Sequence, residues 1–148
     1  MSDVALRLEH SVEADVSPAF AWTFRTDVAN WSDPPATFVL EGPFVEGSRG
    51  TTLLPGQEPV RWRIREVLPG RSFVIEMPLD RATLCFEWRF EALADHRTKL
   101  TQRIVLSGSN AETYARQVET GFGPTLADGM NRMASDMVAA ERLAKAAG

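Results

Sequence analysis

Residues 83–107 read TLCFEWRFEALADHRTKLTQRIVLS. Leu84, Phe86, Trp88 and Phe90 alternate with Cys85, Glu87 and Arg89. After Ala94-Asp95-His96, Leu100, Gln102, Ile104 and Leu106 alternate with Thr101, Arg103 and Val105. A period of two places successive side chains on opposite faces, so each run predicts a half-buried strand. The short polar interruption between them is turn material and makes the two strands antiparallel neighbours. Each strand has one wet face, so a second layer must cover the other.

The same grammar extends towards the N-terminus. Phe73, Ile75 and Met77 alternate with Val74 and Glu76, and Val60, Trp62 and Ile64 with Arg61, Arg63 and Arg65. Pro55-Gly56 and Pro69-Gly70 separate these runs as turns. Residues 6–16 alternate as well: Leu6, Leu8, His10, Val12, Ala14 and Val16 share one face, and Arg7, Glu9, Ser11, Glu13 and Asp15 the other. Ser17-Pro18 predicts a helix start, a hydroxyl cap followed by proline at the first helical position. Phe20, Phe24, Val28 and Trp31 then share a helical face, and Asp33-Pro34-Pro35 ends the segment, because a residue before proline avoids the α region.

Towards the C-terminus the period changes. Ser109-Asn110-Ala111-Glu112 has the spacing of a capping box, with Ser109 as cap. Gly121-Phe122-Gly123-Pro124 predicts a kink or break. Beyond it Leu126, Met130, Met133, Met137, Ala140 and Ala144 form one stripe, with Asp128, Asn131, Ser135, Arg142 and Lys145 opposite. That amphipathic helix is the layer the strands require. The expected class is α+β, a curved antiparallel sheet around a long C-terminal helix with an apolar pocket between them.

Bulk properties agree. A chain of 148 residues suits one domain, 1–148, with one sizeable core. A formal charge of −4 argues against nucleic acid as the main partner, which needs clustered Lys and Arg. No apolar run approaches the roughly 20 residues of a membrane span, and Met1 to Glu9 is charged, without a signal-peptide core. The lone Cys85 cannot form an internal disulfide. The expectation is a soluble, cytoplasmic monomer or homodimer.

Several short motifs carry a family likeness. Glu41-Gly42-Pro43-Phe44, Glu46-Gly47-Ser48-Arg49-Gly50, Val60-Arg61-Trp62-Arg63-Ile64 and Glu66-Val67-x-Pro69-Gly70-Arg71-x-Phe73 are four of them. Thr83-Leu84-Cys85-Phe86-Glu87-Trp88 and Thr98-Lys99-Leu100-Thr101-Gln102 continue the series. Together they resemble the polyketide cyclase/dehydrase and lipid-transport branch of the START-like, or SRPBCC, superfamily, from about Leu6 to the C-terminus. The resemblance implies a helix-grip fold: seven strands curled around the last helix, and two short helices after the first strand. It also implies a cavity for lipids, sterols, polyketides or other hydrophobic ligands, and the first and last strands side by side. The motifs are turns, bulges and core positions, so they specify a fold more sharply than a chemistry.

Candidate ligand-binding residues follow from the inward registers. His10 and Gln102 are polar residues on otherwise apolar faces, and the implied strand order makes them cross-strand neighbours. They either anchor a ligand or satisfy each other in a filled core. Trp62 and Trp88 offer flat walls with an indole N–H, or simply fill the core. Phe73, Ile75, Met77 and Phe86 share their faces. Met130 and Met133, with Leu126, offer an adaptable wall or plain core, and Phe122 sits in the helix break as a candidate gate.

Arg61, Arg63 and Arg65 form an outward stripe expected to pair with Glu76 and Glu87. Cys85 faces outward without a base, and His96 lies in a turn, so neither a catalytic residue nor a metal site nor a cofactor is expected. The leading expectation is binding of a small hydrophobic molecule. A cyclase, aromatase or dehydratase of polyketide type is the first alternative, although most arginines lie on outward registers and Tyr114, the one tyrosine, starts the C-terminal helix. A protein-interaction module of chaperone-activator type is the second.

Overall fold

A computed structural model describes residues 4–147. Residues 1–3, part of the Met1–Glu9 stretch read above, and residue 148 lie outside the described residues. Seven strands form one antiparallel sheet in the order β1-β7-β6-β5-β4-β3-β2. They are β1 (Val4–Ala14), β2 (Thr37–Glu41), β3 (Arg49–Leu53), β4 (Val60–Leu68), β5 (Ser72–Leu79), β6 (Ala82–Ala94) and β7 (Arg97–Ser107). Helix α1 (Pro18–Arg25) and a single 3-10 turn (Val28–Asn30) follow β1. Helices α2 (Glu112–Phe122) and α3 (Leu126–Ala147) close the chain. Gly123 and Pro124 separate α2 from α3, as the glycine–proline cluster predicts.

Register puts the predicted inner positions into rows. One row runs Val67, Phe73, Trp88, Gln102 and His10 across β4, β5, β6, β7 and β1. The next runs Ile64, Ile75, Phe86, Ile104 and Leu8. A bulge between Ile64 and Glu66 keeps both rows apolar at β4: were the pairing regular through Arg65, Glu66 rather than Val67 would face Phe73. α3 crosses the inner face against β1, and Met130 and Met137 are buried there with Ile64, Phe73 and Leu100.

Ser17 caps α1 as expected. Its hydroxyl accepts from Phe20 N–H (3.2 Å) and donates to Glu141 on α3 (2.9 Å), while its own N–H also donates to Glu141 (3.3 Å). Burial disfavours the charged form of Glu141, but the Ser17 bonds and Lys145 outweigh it and hold the carboxyl below its ordinary range.

The capping box at Ser109 is a correction. Ala111 occupies the cap position of α2 without a side-chain bond. The Ser109 hydroxyl instead donates to the Arg81 carbonyl (3.4 Å), and the Asn110 side chain donates to the Asp80 carbonyl (3.0 Å). The tight β5–β6 turn, with Arg81 at φ 53°, presents carbonyls to this segment, and those acceptors draw the Ser109 and Asn110 side chains to the turn and away from the first N–H groups of α2.

Candidate functional site

α3 covers the β1 side of the concave face, and the remaining space over β4 to β7 is a cavity of about 720 Å³. Its floor is Ile75, Met77, Phe86, Trp88, Gln102 and Ile104. Trp62 and Trp31 wall one end, and Phe122, Leu126, Met130 and Met133 the other. Exposed polar residues, among them Asn30, Asp33, Gln117, Arg132 and Asp136, form the rim.

The walls are held by specific contacts. The Trp62 indole N–H donates to Thr52 Oγ1 (3.0 Å), and its ring lies over Gly50, its cross-strand partner. A Cβ at residue 50 would stand 2.2 Å from that ring, so glycine is what admits the tryptophan. Trp31 stacks on Trp62 with ring centres 5.5 Å apart, and its N–H donates to the Arg25 carbonyl (2.7 Å). Phe122 meets Phe86 edge to face at 5.4 Å.

Ten of the expected residues line the cavity: Gln102, Trp62, Trp88, Ile75, Met77, Phe86, Phe122, Leu126, Met130 and Met133. Phe73 and His10 do not. Phe73 is fully buried, walled by Trp22, Phe44, Trp88 and Phe90. His10 sits directly opposite Gln102 as expected, but on β1, the strand that α3 covers. No hydrogen bond joins the two side chains, and the Gln102 amide, which lines the cavity, has no partner among the described residues.

The residue that sequence reasoning missed is Arg25. It ends α1, lines the cavity, and holds its guanidinium carbon 4.2 Å from the Trp88 ring centre and 4.8 Å from that of Trp31. It has no carboxylate within ion-pair distance among the described residues, and its Nε is buried without a hydrogen-bond partner. Burial pushes its pKa down to about 9, which still leaves it charged at neutral pH. A signal was present. Arg25 lies four residues after the fully buried Ala21, on the same helical face, and no acidic residue stands three or four positions away.

The outer face behaves as expected, with one exchange. Arg63 pairs with Glu76 at 2.7 Å, whereas Glu87 pairs with Arg103 (3.8 Å), the residue directly opposite it on β7. Cys85 is on the outer register yet buried, its sulfur 3.6 Å from the Arg65 guanidinium. Burial raises its thiol pKa against the opposing pull of Arg65, which disfavours the thiolate.

A seven-stranded sheet gripping a C-terminal helix around an apolar cavity defines the helix-grip class. Residues 5–146 match the model of the family described as "Polyketide cyclase / dehydrase and lipid transport", and the chain belongs to that family. Similar solved structures include a norcoclaurine synthase point mutant from Thalictrum flavum, at TM-score 0.72 and 11% identity, covering 96% of this chain and 98% of that one. The Zhui aromatase/cyclase from Streptomyces sp. R1128 aligns at TM-score 0.70 and 17% identity over 97% and 98% of the two chains. Ara h 8.0201 aligns at 0.65 and 14% over 90% and 98%. At these identities the likeness is one of fold. No curated protein matches the sequence. Among the described residues no helix is long and apolar enough to cross a membrane.

Proposed function

We propose that this protein binds a small hydrophobic molecule in the cavity between its sheet and α3. The observation that carries this reading is the cavity itself: about 720 Å³ of space walled by aromatic rings and methionines, with few polar groups in its depth. Ligand sites share that composition, a largely apolar wall and a small number of placed polar groups. Stacked indoles offer flat surfaces to a ring-bearing body, and Met130 and Met133 adapt to its outline. The family description supports the reading, and a related norcoclaurine synthase structure is a complex with dopamine and hydroxybenzaldehyde, both small aromatic compounds.

Native mass spectrometry of freshly purified protein, beside a denaturing run, tests it. The expected result is an extra mass that leaves on denaturation, or one gained from a panel of aromatic compounds. A bare chain mass that no compound in the panel changes would sink the reading.

A further inference from the structure

Arg25 is a cation that the protein itself leaves unanswered. Taking a charge out of water is costly unless a counter-charge or full hydrogen bonding repays it. Two indole rings repay part of that cost, since a guanidinium over an aromatic face is attracted to it. The hydrogen-bonding groups are not repaid: the side chain donates to no described residue, and Nε is buried without an acceptor. The terminal nitrogens are likewise unpartnered but not buried, and the residue lines the cavity.

We infer that the occupant of the cavity is a carboxylic acid, an apolar, ring-bearing body whose single carboxylate is gripped by Arg25 beside Trp31 and Trp88. The inference rests on the proposed binding of a hydrophobic molecule and specifies its chemical class. Three features of the site lead to it.

First, with two indoles crowded about the guanidinium carbon, what the group still offers a ligand is its N–H edge. A planar fork of N–H donors matches the two oxygens of a carboxylate. Second, the site is built before any ligand arrives. The Trp31 N–H is bonded to the backbone carbonyl of Arg25 itself, and Trp31 is stacked on Trp62, so the ring and the cation are held in register. Third, Gln102 stands beside Trp88 on the neighbouring strand, and its unengaged amide lines the same cavity. It offers a further donor to a polar group of the occupant.

A monoanion fits better than a phosphate. Arg25 brings one charge, and the rim adds Asp33 and Asp136 against the one further cation, Arg132. A doubly charged head would meet those carboxylates on its way in.

Titration calorimetry with two probes of one shape, anthracene carboxylate and anthracene carboxamide, tests the assignment on the full chain at neutral pH. For the wild type the carboxylate is expected to bind roughly ten- to a hundredfold more tightly, the worth of a charged hydrogen-bonded contact. Arg25→Met should bring the two probes to within about threefold of each other, and Arg103→Met, on the outer face, should leave the preference intact. Equal affinity of wild type for both probes overturns the carboxylate assignment and leaves the cavity reading standing. Tighter binding of an aryl phosphate than of the carboxylate overturns it in the same way. Failure of the wild type to bind either probe strikes the cavity reading itself, and the anchor falls with it. The wild-type pair decides the matter even if Arg25→Met folds poorly.

Discussion

The two faces of the sheet treat the same residue in opposite ways. On the outer face Arg103 reaches Glu9 at 2.8 Å and Glu87 at 3.8 Å, Arg63 is bonded to Glu76, and Arg97 contacts Glu13 and Asp15. These pairs follow from register alone, since Glu9, Arg103 and Glu87 stand opposite one another on β1, β7 and β6. On the inner side Arg25 lies against two indoles and has no carboxylate partner among the described residues. Outer arginines are neutralised by the fold and half in water, so they add solubility and little stability. The inner one has no counter-charge among the described residues, which is the pattern expected of a residue kept for what it binds.

The largest effect is expected where the inner cluster is emptied. Trp88→Ala removes a ring that touches Phe73, Phe90 and the Arg25 guanidinium, and should cost about 3–5 kcal/mol in denaturant unfolding. A loss below about 1 kcal/mol would mean that Trp88 lines space without supporting it. Overfilling comes next. Gly50→Val drives methyl groups into the Trp62 ring and should cost about 1–3 kcal/mol, with a change in near-ultraviolet circular dichroism as the indole moves.

The comparison itself is decided by paired substitutions. Arg25→Met should leave the ligand-free protein as stable as wild type or about 1 kcal/mol more so, because it removes an unpaired charge. Arg103→Met should lower stability by at most about 1 kcal/mol, and less at high salt. A clear fall in melting temperature for Arg25→Met alone would show that the cation is structural and break the contrast.

The smallest effect concerns pH. The carboxyl of Glu141 is depressed in the folded state, so its contribution is present above the unfolded value of 4.5 and is lost as pH falls through the lower folded value. Glu141→Gln should therefore flatten the acid limb of a stability–pH curve and leave its neutral region level. An unchanged acid limb would remove Ser17 and Glu141 as a titrating tie between α1 and α3.

Most of the cavity wall was legible because strands advertise their faces. Trp62, Ile75, Phe86, Trp88 and Gln102 are inward by parity, and parity survives folding unless a bulge intervenes. The bulge at Arg65 was not legible, because no glycine marks it. The turn at Asp80-Arg81 was hidden for a related reason: a charged residue takes the positive φ that a glycine would have announced. Ser109 misled because its hydroxyl found a tertiary acceptor, the Arg81 carbonyl, that local spacing cannot show.

Sequence by itself determined the two faces of β1, β4, β5, β6 and β7, the break at Gly123-Pro124 and the α3 stripe, all of which depend on spacing along the chain. Tertiary structure alone decided that Gln102 lines the cavity while His10 does not, that Phe73 is sealed, and that Arg25 meets two indoles and no acid among the described residues. Those outcomes depend on which elements lie across from one another, and burial and charge pairing are properties of the neighbours that folding brings together.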